Sequence, residues 1–317
     1  MKSTNDLAAP DLLIILGGPT ASGKSETAAR LAALSGGEVV SADSVQIYSE
    51  LDIGASKPAP ELLAMAPHRL LGTLKPDKRI NAFVYAGLAS EAILEIAGSG
   101  HLPILAGGTG LYIKAIVDGI FESPKIPKEI RQELEAELAS RGNSSLHAEL
   151  ASIDPIAAIR IHNNDASRII RALEVYRGTG STITALRQKT GPALSAKKNL
   201  FYAMSIPRDE LYRRVEERVD RMMKDGLLNE TEAIIKKYGA ENVDALKSLG
   251  YKQMRDVVEG TRDVLSAVTE IKLLTRNYVK RQFTWFRNDK RYTWVDNRNP
   301  EAAALNIYND IRGNRGI

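Results

Sequence analysis

The most constraining stretch of this 317-residue sequence is GPTASGKS at residues 18–25. It fits the phosphate-loop pattern G-x-x-x-x-G-K-[ST] in full and stands where that pattern has physical meaning. Ahead of it, residues 12–16 form an apolar run of strand length. Behind it, residues 25–35 (SETAARLAALS) are rich in Ala and Leu and predict a helix. A strand that feeds a glycine turn and then a helix points backbone N–H groups and the positive helix end at an anion. Gly18 and Gly23 let the backbone turn around Pro19, Thr20, Ala21 and Ser22. Lys24 can reach phosphate oxygens, and Ser25 is the expected ligand of a Mg2+ cofactor. A phosphate-bearing ligand is therefore the first expectation.

Short apolar runs alternate with helical patterns over roughly the first 120 residues. Val39 and Val40 sit in a second strand, and LPILA at 102–106 is another, opening onto GGTGLY. Strands alternating with helices predict an α/β fold with a parallel sheet. After Pro124 and Pro127 the pattern changes: EIRQELEAELASRG predicts an exposed helix, and a further helix covers about residues 167–177. An apolar stretch near 200–206 reads as a late strand of the first domain, and the chain is helical from Asp209 on. The expected division is a catalytic core of residues 1–122 and 200–317, with a helical insertion at 123–199 and a helical C-terminal part.

Composition narrows the chemistry. The sequence has no cysteine, which excludes disulfides, Cys-held zinc and thiol nucleophiles. Its four histidines, His68, His101, His147 and His162, show no metal-motif spacing. No apolar stretch is long enough for a membrane span, and the N-terminal apolar run is too short for a secretory leader, so a cytoplasmic protein is expected; it is read as a monomer. Residues 1–122 carry a net charge of −4 and residues 123–317 a net of +8. Residues 271–298 alone hold 8 basic and 2 acidic side chains. Such asymmetry suggests that the later part meets a polyanion.

The loop alone leaves the reaction open. A nucleotide hydrolase needs an acid at the end of a neighbouring strand to hold Mg2+, yet LPILA ends in GGT. The nearest strand-end acid is Asp43, in SADSVQIY. Close to a diphosphate it can serve as a base for an incoming nucleophile, or it can cap a helix or contact Mg2+.

An ordered series of motifs then resembles the tRNA dimethylallyltransferase (isopentenyl-tRNA transferase) family along most of the chain. After GPTASGKS come DSVQIYSELDIGASKP at 43–58, GGTGLY at 107–112, RIHNNDASRIIRALEVY at 160–176, RDELYRRVEERVDRMMKDGLLNE at 208–230, LKSLGYKQM at 246–254 and KRQFTWFRND at 280–289. The resemblance implies a P-loop kinase-like parallel-sheet core that cradles dimethylallyl diphosphate instead of hydrolysing ATP, and an insertion that grips tRNA. It implies transfer of the dimethylallyl group to the exocyclic amine of adenosine-37, flipped out of the anticodon loop. Asp43 matches the general base, Thr109 a hydrogen-bond donor to the bridging oxygen of the leaving diphosphate, and Arg218 an arginine near that diphosphate. The implied tRNA contacts are Asp43, Ser44, Val45, Gln46 and Thr109, then Arg131, Ser167, Arg168, Ile169, Ile170 and Arg171, and finally Gly250, Tyr251, Lys280 and Arg281. The chain departs from the family's usual pattern at PHRL (67–70), NAFVYAGLA (81–89) and DIGASKP.

Plainer roles stand beside these. Thr109 can close a turn, Arg218 can pair with Glu216, Glu217 or Asp220 on its own helix, and Arg168 and Arg171 can be solvated. Trp285 and Phe286 are expected in the core, and His162 in a structural role. Two other functions fit a phosphate loop: an enzyme acting on a free nucleotide, and a non-catalytic RNA-binding protein. The first has no need of the insertion or the basic 271–298 stretch. The set Lys24, Asp43 and Thr109 argues against the second.

Overall fold

The computed structural model describes residues 9–188 and 190–314. The opening residues, which enter the reading of the N-terminus above, lie outside this range up to residue 8. The chain divides into two compact units, one of residues 1–117 and 193–317 and one of residues 118–192. Both sequence boundaries fall a few residues beyond these, because the chain leaves the core as soon as the helix Gly110–Val117 ends.

The larger unit is built on a sheet that has six strands among the described residues: β1 (Leu12–Gly17), β2 (Gly37–Ser41), β3 (His68–Arg69), β4 (Leu102–Ala106), β5 (Lys198–Ser205) and β6 (Tyr292–Asp296). Their order is β3-β2-β4-β1-β5-β6, and each neighbouring pair is parallel. Parallel strands need crossovers and are covered on both faces, which is why β1 and β4 are apolar along their whole length. Alternate residues Leu12, Ile14 and Leu16 of β1, with Ile104 of β4 and Met204 of β5, pack against Ala28 and Leu31 of the helix Lys24–Ser35. Ile307 and Ile311 of the helix Pro300–Asn314 join the same cluster. Towards the other face, Tyr85 of the helix Ala82–Gly98 donates its phenol to the carbonyl of Ser41 at 2.9 Å.

The C-terminal part is not purely helical. Residues 292–296 form β6, paired with β5 through Phe201↔Tyr292 and Ala203↔Trp294. This edge strand mixes aromatic and polar residues and lacks the continuous apolar run that marks the central strands. Before it runs the helix Val264–Asn288, whose Phe286 is buried against the backbone of Gly17. A Cβ on Gly17 would lie 2.5 Å from that ring.

The smaller unit is helical among its described residues. Its helix Lys128–Ile153 is kinked at Gly142, where φ is 77°, and Leu134, Leu146 and Leu150 from both halves meet Ile169, Ile170 and Leu173 of the helix Ala166–Thr179. Arg177 bridges the two halves by pairing with Glu137 at 2.6 Å and Glu149 at 2.7 Å.

Candidate active site

In a parallel sheet the loops after the strands gather at one edge, and ligands bind there. β4 lies between β2 and β1, so Asp43 after β2, residues 107–109 after β4 and the phosphate loop after β1 come side by side. The approach is close. A Cβ on Gly107 would lie 2.0 Å from the carbonyl oxygen of Ala42, so only glycine lets these two loops meet. A cleft of about 920 Å3 opens here, lined by the phosphate loop, Asp43, Gln46, Gly107, Gly108, Arg218 and Tyr278 among others.

The phosphate loop has the backbone its sequence calls for. Gly18 (φ 133°), Ala21 (φ 61°) and Gly23 (φ 83°) all take positive φ. Two distant amides hold it. Gln282 accepts from the N–H of Thr20 at 2.8 Å and donates to the carbonyl of Gly108 at 2.9 Å. Asn297, fully buried just after β6, donates to the carbonyl of Ser22 at 2.7 Å and accepts from the Thr27 hydroxyl at 2.7 Å. Neither amide belongs to the expected site. The signal for Gln282 is its place in KRQFTWFRND, one turn after Tyr278; Asn297 has none beyond its nearness to the chain's end.

Lys24 donates to the carbonyl of Pro19 at 2.6 Å. Burial pushes its ammonium down to about 7, against the opposing pull of Asp43, while Arg218 adds to the depression. Arg218 is also held below its usual range, chiefly by burial. The acids around it on the helix Arg208–Asp225 serve other cations: Glu216 pairs with Arg276, Glu217 with Arg213 and Asp220 with Lys272. Arg218 is thereby left to the cleft, and the surface ion-pair role does not apply to it.

Asp43 does two jobs. Its Oδ1 accepts from the N–H groups of Val45 at 2.9 Å and Gln46 at 3.2 Å, which closes a turn over residues 44–47; no helix starts there for Asp43 to cap. Its Oδ2 takes no hydrogen bond among the described residues, so the carboxylate is fixed in place with one oxygen left for the cleft. Thr109 likewise makes the turn, accepting from Tyr112 N–H through its carbonyl, and braces Ser44, whose N–H donates to its hydroxyl at 3.2 Å. Gln46 is engaged internally, donating to the carbonyls of Ala55 and Ser56 and accepting from Ser41. Tyr278 lines the same cleft and is pushed up to about 12, mainly by burial and then by Asp43.

Some expected tRNA contacts are not surface groups. Tyr251 is fully buried, and its phenol donates to Glu230 at 2.6 Å. The same carboxylate accepts from the N–H groups of Asp52, Ile53 and Gly54 at 2.8, 2.8 and 3.1 Å. Gly250 is buried too, at φ 95°. The motifs DIGASKP, GLLNE and LKSLGY thus meet at Glu230 to fix one wall of the cleft. Within the insertion, Ile169 and Ile170 are buried core residues. Arg131, Ser167 and Arg168 are exposed and Arg171 is half-buried. Arg168 pairs with Asp165, Arg171 with Glu174, and Arg131 with Glu135. Lys280 and Arg281 are exposed on the helix Val264–Asn288. Phe286 is buried as expected, but Trp285 is 39% exposed, its indole nitrogen 2.0 Å from where a Cβ on Gly110 would stand.

The departure at Arg69 is explained by the sheet edge away from the cleft, where Arg69 and His101 share the Glu38 carboxylate at 2.8 and 2.9 Å. Among the described residues no group of three acids or imidazoles could hold a metal ion. Ser25 lines the cleft, and its hydroxyl makes no hydrogen bond among the described residues.

The chain matches the family model described as IPP transferase over residues 46–289 and that of Isopentenyl transferase over residues 11–71. It is 42% identical over 292 residues to a tRNA dimethylallyltransferase of Geobacter sulfurreducens, covering 92% of this chain and 94% of the relative. The crystal structure of a tRNA isopentenylpyrophosphate transferase from Bacillus halodurans is similar with a TM-score of 0.70 at 35% identity, over 96% of both chains. A eukaryotic dimethylallyltransferase, solved acting on tRNA, shares the fold with a TM-score of 0.78 at 23% identity, over 96% of this chain and 80% of the other.

The depressed Lys24 has a consequence for anion binding. A bound diphosphate favours the ammonium form, so above pH 7 binding requires proton uptake by Lys24. Affinity for inorganic diphosphate should therefore weaken more steeply with rising pH in the unaltered protein than in Lys24→Met. Calorimetric titration at several pH values checks this, and equal slopes in the two proteins would contradict it.

Proposed function

This chain belongs to the IPP transferase family, and from that membership and the geometry of its cleft we propose that it transfers a dimethylallyl group from dimethylallyl diphosphate to the exocyclic amine of adenosine-37 in tRNA, beside the anticodon, releasing diphosphate. The observation that carries this reading is the pairing, at one sheet edge, of a phosphate loop with a fixed carboxylate that has an oxygen to spare. A nucleotide hydrolase would need an acid where this chain has residues 107–109 after β4.

The chemistry follows from the charges involved. The C–O bond between the allyl carbon and the diphosphate breaks with its electron pair leaving on oxygen, and the carbon gains cationic character. The amine nitrogen of adenine forms the new C–N bond and loses a proton. Loop N–H groups, Lys24 and Arg218 stabilise the departing oxygens, each such preorganised donor contributing on the order of 3 kcal/mol in the transition state. Thr109 donates to the bridging oxygen. Asp43 receives the proton on Oδ2 while Oδ1 stays tied to Val45 and Gln46. The Ser25 hydroxyl would hold a Mg2+ ion, which would supply further charge neutralisation. A site with one hydroxyl and no cluster of acids suits an ion that keeps most of its ligands from substrate and solvent.

The acceptor must be unstacked to reach Asp43, at a cost of roughly a few kcal/mol. Phosphate contacts from the basic later part offset it, with Lys280, Arg281, Arg131 and Arg168 among its exposed cations. A cytoplasmic monomer fits the tRNA substrate.

Asp43→Asn should lower the transfer rate by ~10²-fold or more. Dissociation constants for tRNA and diphosphate should change little, as should the melting temperature, since Asn keeps one acceptor for the Val45 and Gln46 N–H groups. Full activity in this variant would sink the base assignment. A loss of activity matched by a loss of stability would leave Asp43 as a turn-closing residue only. Replacing Lys280 and Arg281 together by Ala should flatten the salt dependence of tRNA binding by roughly two contacts, each worth a slope of about −0.7 to −0.9. An unchanged slope would move the tRNA footprint elsewhere.

A further inference from the structure

We infer that Gln282 is a positioning residue for the transfer reaction: its amide sets the spacing between the phosphate loop and the turn that carries Thr109. The inference rests on the function proposed above. Gln282 is buried, and both ends of its amide are committed. Oε1 accepts from the Thr20 N–H at 2.8 Å, across 262 residues of sequence, and Nε2 donates to the Gly108 carbonyl at 2.9 Å, across 174. The amide orientation is forced, because Thr20 N–H can only donate and the Gly108 carbonyl can only accept.

The two loops touch nearby as well. A Cβ on Gly108 would stand 2.4 Å from Gln282 Nε2 and 3.7 Å from the Gly18 carbonyl oxygen. Gly108 is thus the residue that lets the amide reach between them. Thr109 is the next residue, and its hydroxyl must meet the oxygen that the phosphate loop holds. In the reading above, one loop grips the diphosphate and the other touches the atom that leaves the allyl carbon. Their separation decides whether both engage the same bound molecule, and Gln282 is the side chain that spans it. Asn297 differs: it ties the loop to Thr27 and, through its own N–H, to Ser205, and it makes no bond to residues 107–109.

Two substitutions probe these bonds. Leu removes both. Glu keeps the shape and the acceptor for Thr20 but sets a carboxylate oxygen against the Gly108 carbonyl. When that carboxyl is protonated it donates to Gly108 as the amide does; Tyr278, which hydrogen-bonds Gln282, and Asp43 beside Tyr278 are the titratable groups nearest to it.

The test compares the unaltered protein, Gln282→Leu and Gln282→Glu in three measurements: binding of inorganic diphosphate, binding of unmodified tRNA, and transfer kinetics across pH. In Gln282→Leu, kcat should fall by about 10²-fold, the scale of a 1 Å misplacement of reacting groups. Inorganic diphosphate should bind about 10-fold more weakly from lost preorganisation, with tRNA affinity unchanged. In Gln282→Glu, transfer at neutral pH should fall similarly and then recover relative to the unaltered protein as the pH is lowered. That recovery is read within one folded protein, so it holds even if Gln282→Leu does not fold. A Gln282→Glu enzyme whose loss is the same at every pH would overturn the inference, and so would unchanged kcat and diphosphate affinity in Gln282→Leu. If the unaltered protein binds diphosphate but prenylates no tRNA, the proposed function fails, and the binding comparison still reads the clamp.

Discussion

A phosphate loop cannot be held by the hydrogen bonds that hold most of a protein. Its N–H groups must point at a ligand, so its neighbours have to fix its shape. Here the left-handed turns at Gly18, Ala21 and Gly23 are kept by Gln282 from the long helix before β6 and by Asn297 just after it. The helix is seated by Phe286 on the bare backbone of Gly17, and Asn297 by its own N–H bond to Ser205 at the end of β5. The last part of the chain therefore completes the site that the first part begins. Leaving any of these buried polar groups unpaired would cost about 1–3 kcal/mol.

The same economy governs the charges. Lys24, Arg218 and Asp43 line one part-buried cleft, and burial depresses both cations. Arg218 escapes neutralisation only because Glu216, Glu217 and Asp220 are drawn to Arg276, Arg213 and Lys272. A cleft poised in this way has more to gain from a multiply charged anion than from a neutral ligand. Asp43 is restrained by its turn, so its carboxylate does not have to be ordered when a ligand enters the cleft.

Local features were legible in the sequence. The strand, turn and helix around residues 18–25 lie within one window, and Asp43 and the Gly107–Gly108 pair are strand-end signals of the same kind. The parallel sheet followed from strands such as LPILA alternating with helical patterns. Features that depend on distant parts of the chain were not legible. Nothing within KRQFTWFRND tells that its Gln reaches the phosphate loop 262 residues away. β6 was hidden because an edge strand such as YTWVD needs no continuous apolar run. The motif reading also could not tell a residue that touches RNA from one that shapes the cleft behind it. Tyr251 is buried on Glu230, and Ile169 and Ile170 lie in the insertion's core. Trp285, expected inside, stands partly exposed over Gly110.

The proposed activity requires one cleft to join an allylic diphosphate to an adenine amine. The most direct measurement incubates the purified protein with unmodified tRNA, dimethylallyl diphosphate and Mg2+, and analyses the digested nucleosides by mass spectrometry. The expected product is an adenosine heavier by one dimethylallyl group, with diphosphate released in equal amount and no such product when free AMP replaces tRNA. An unmodified adenosine pool, or turnover of AMP in preference to tRNA, would contradict it.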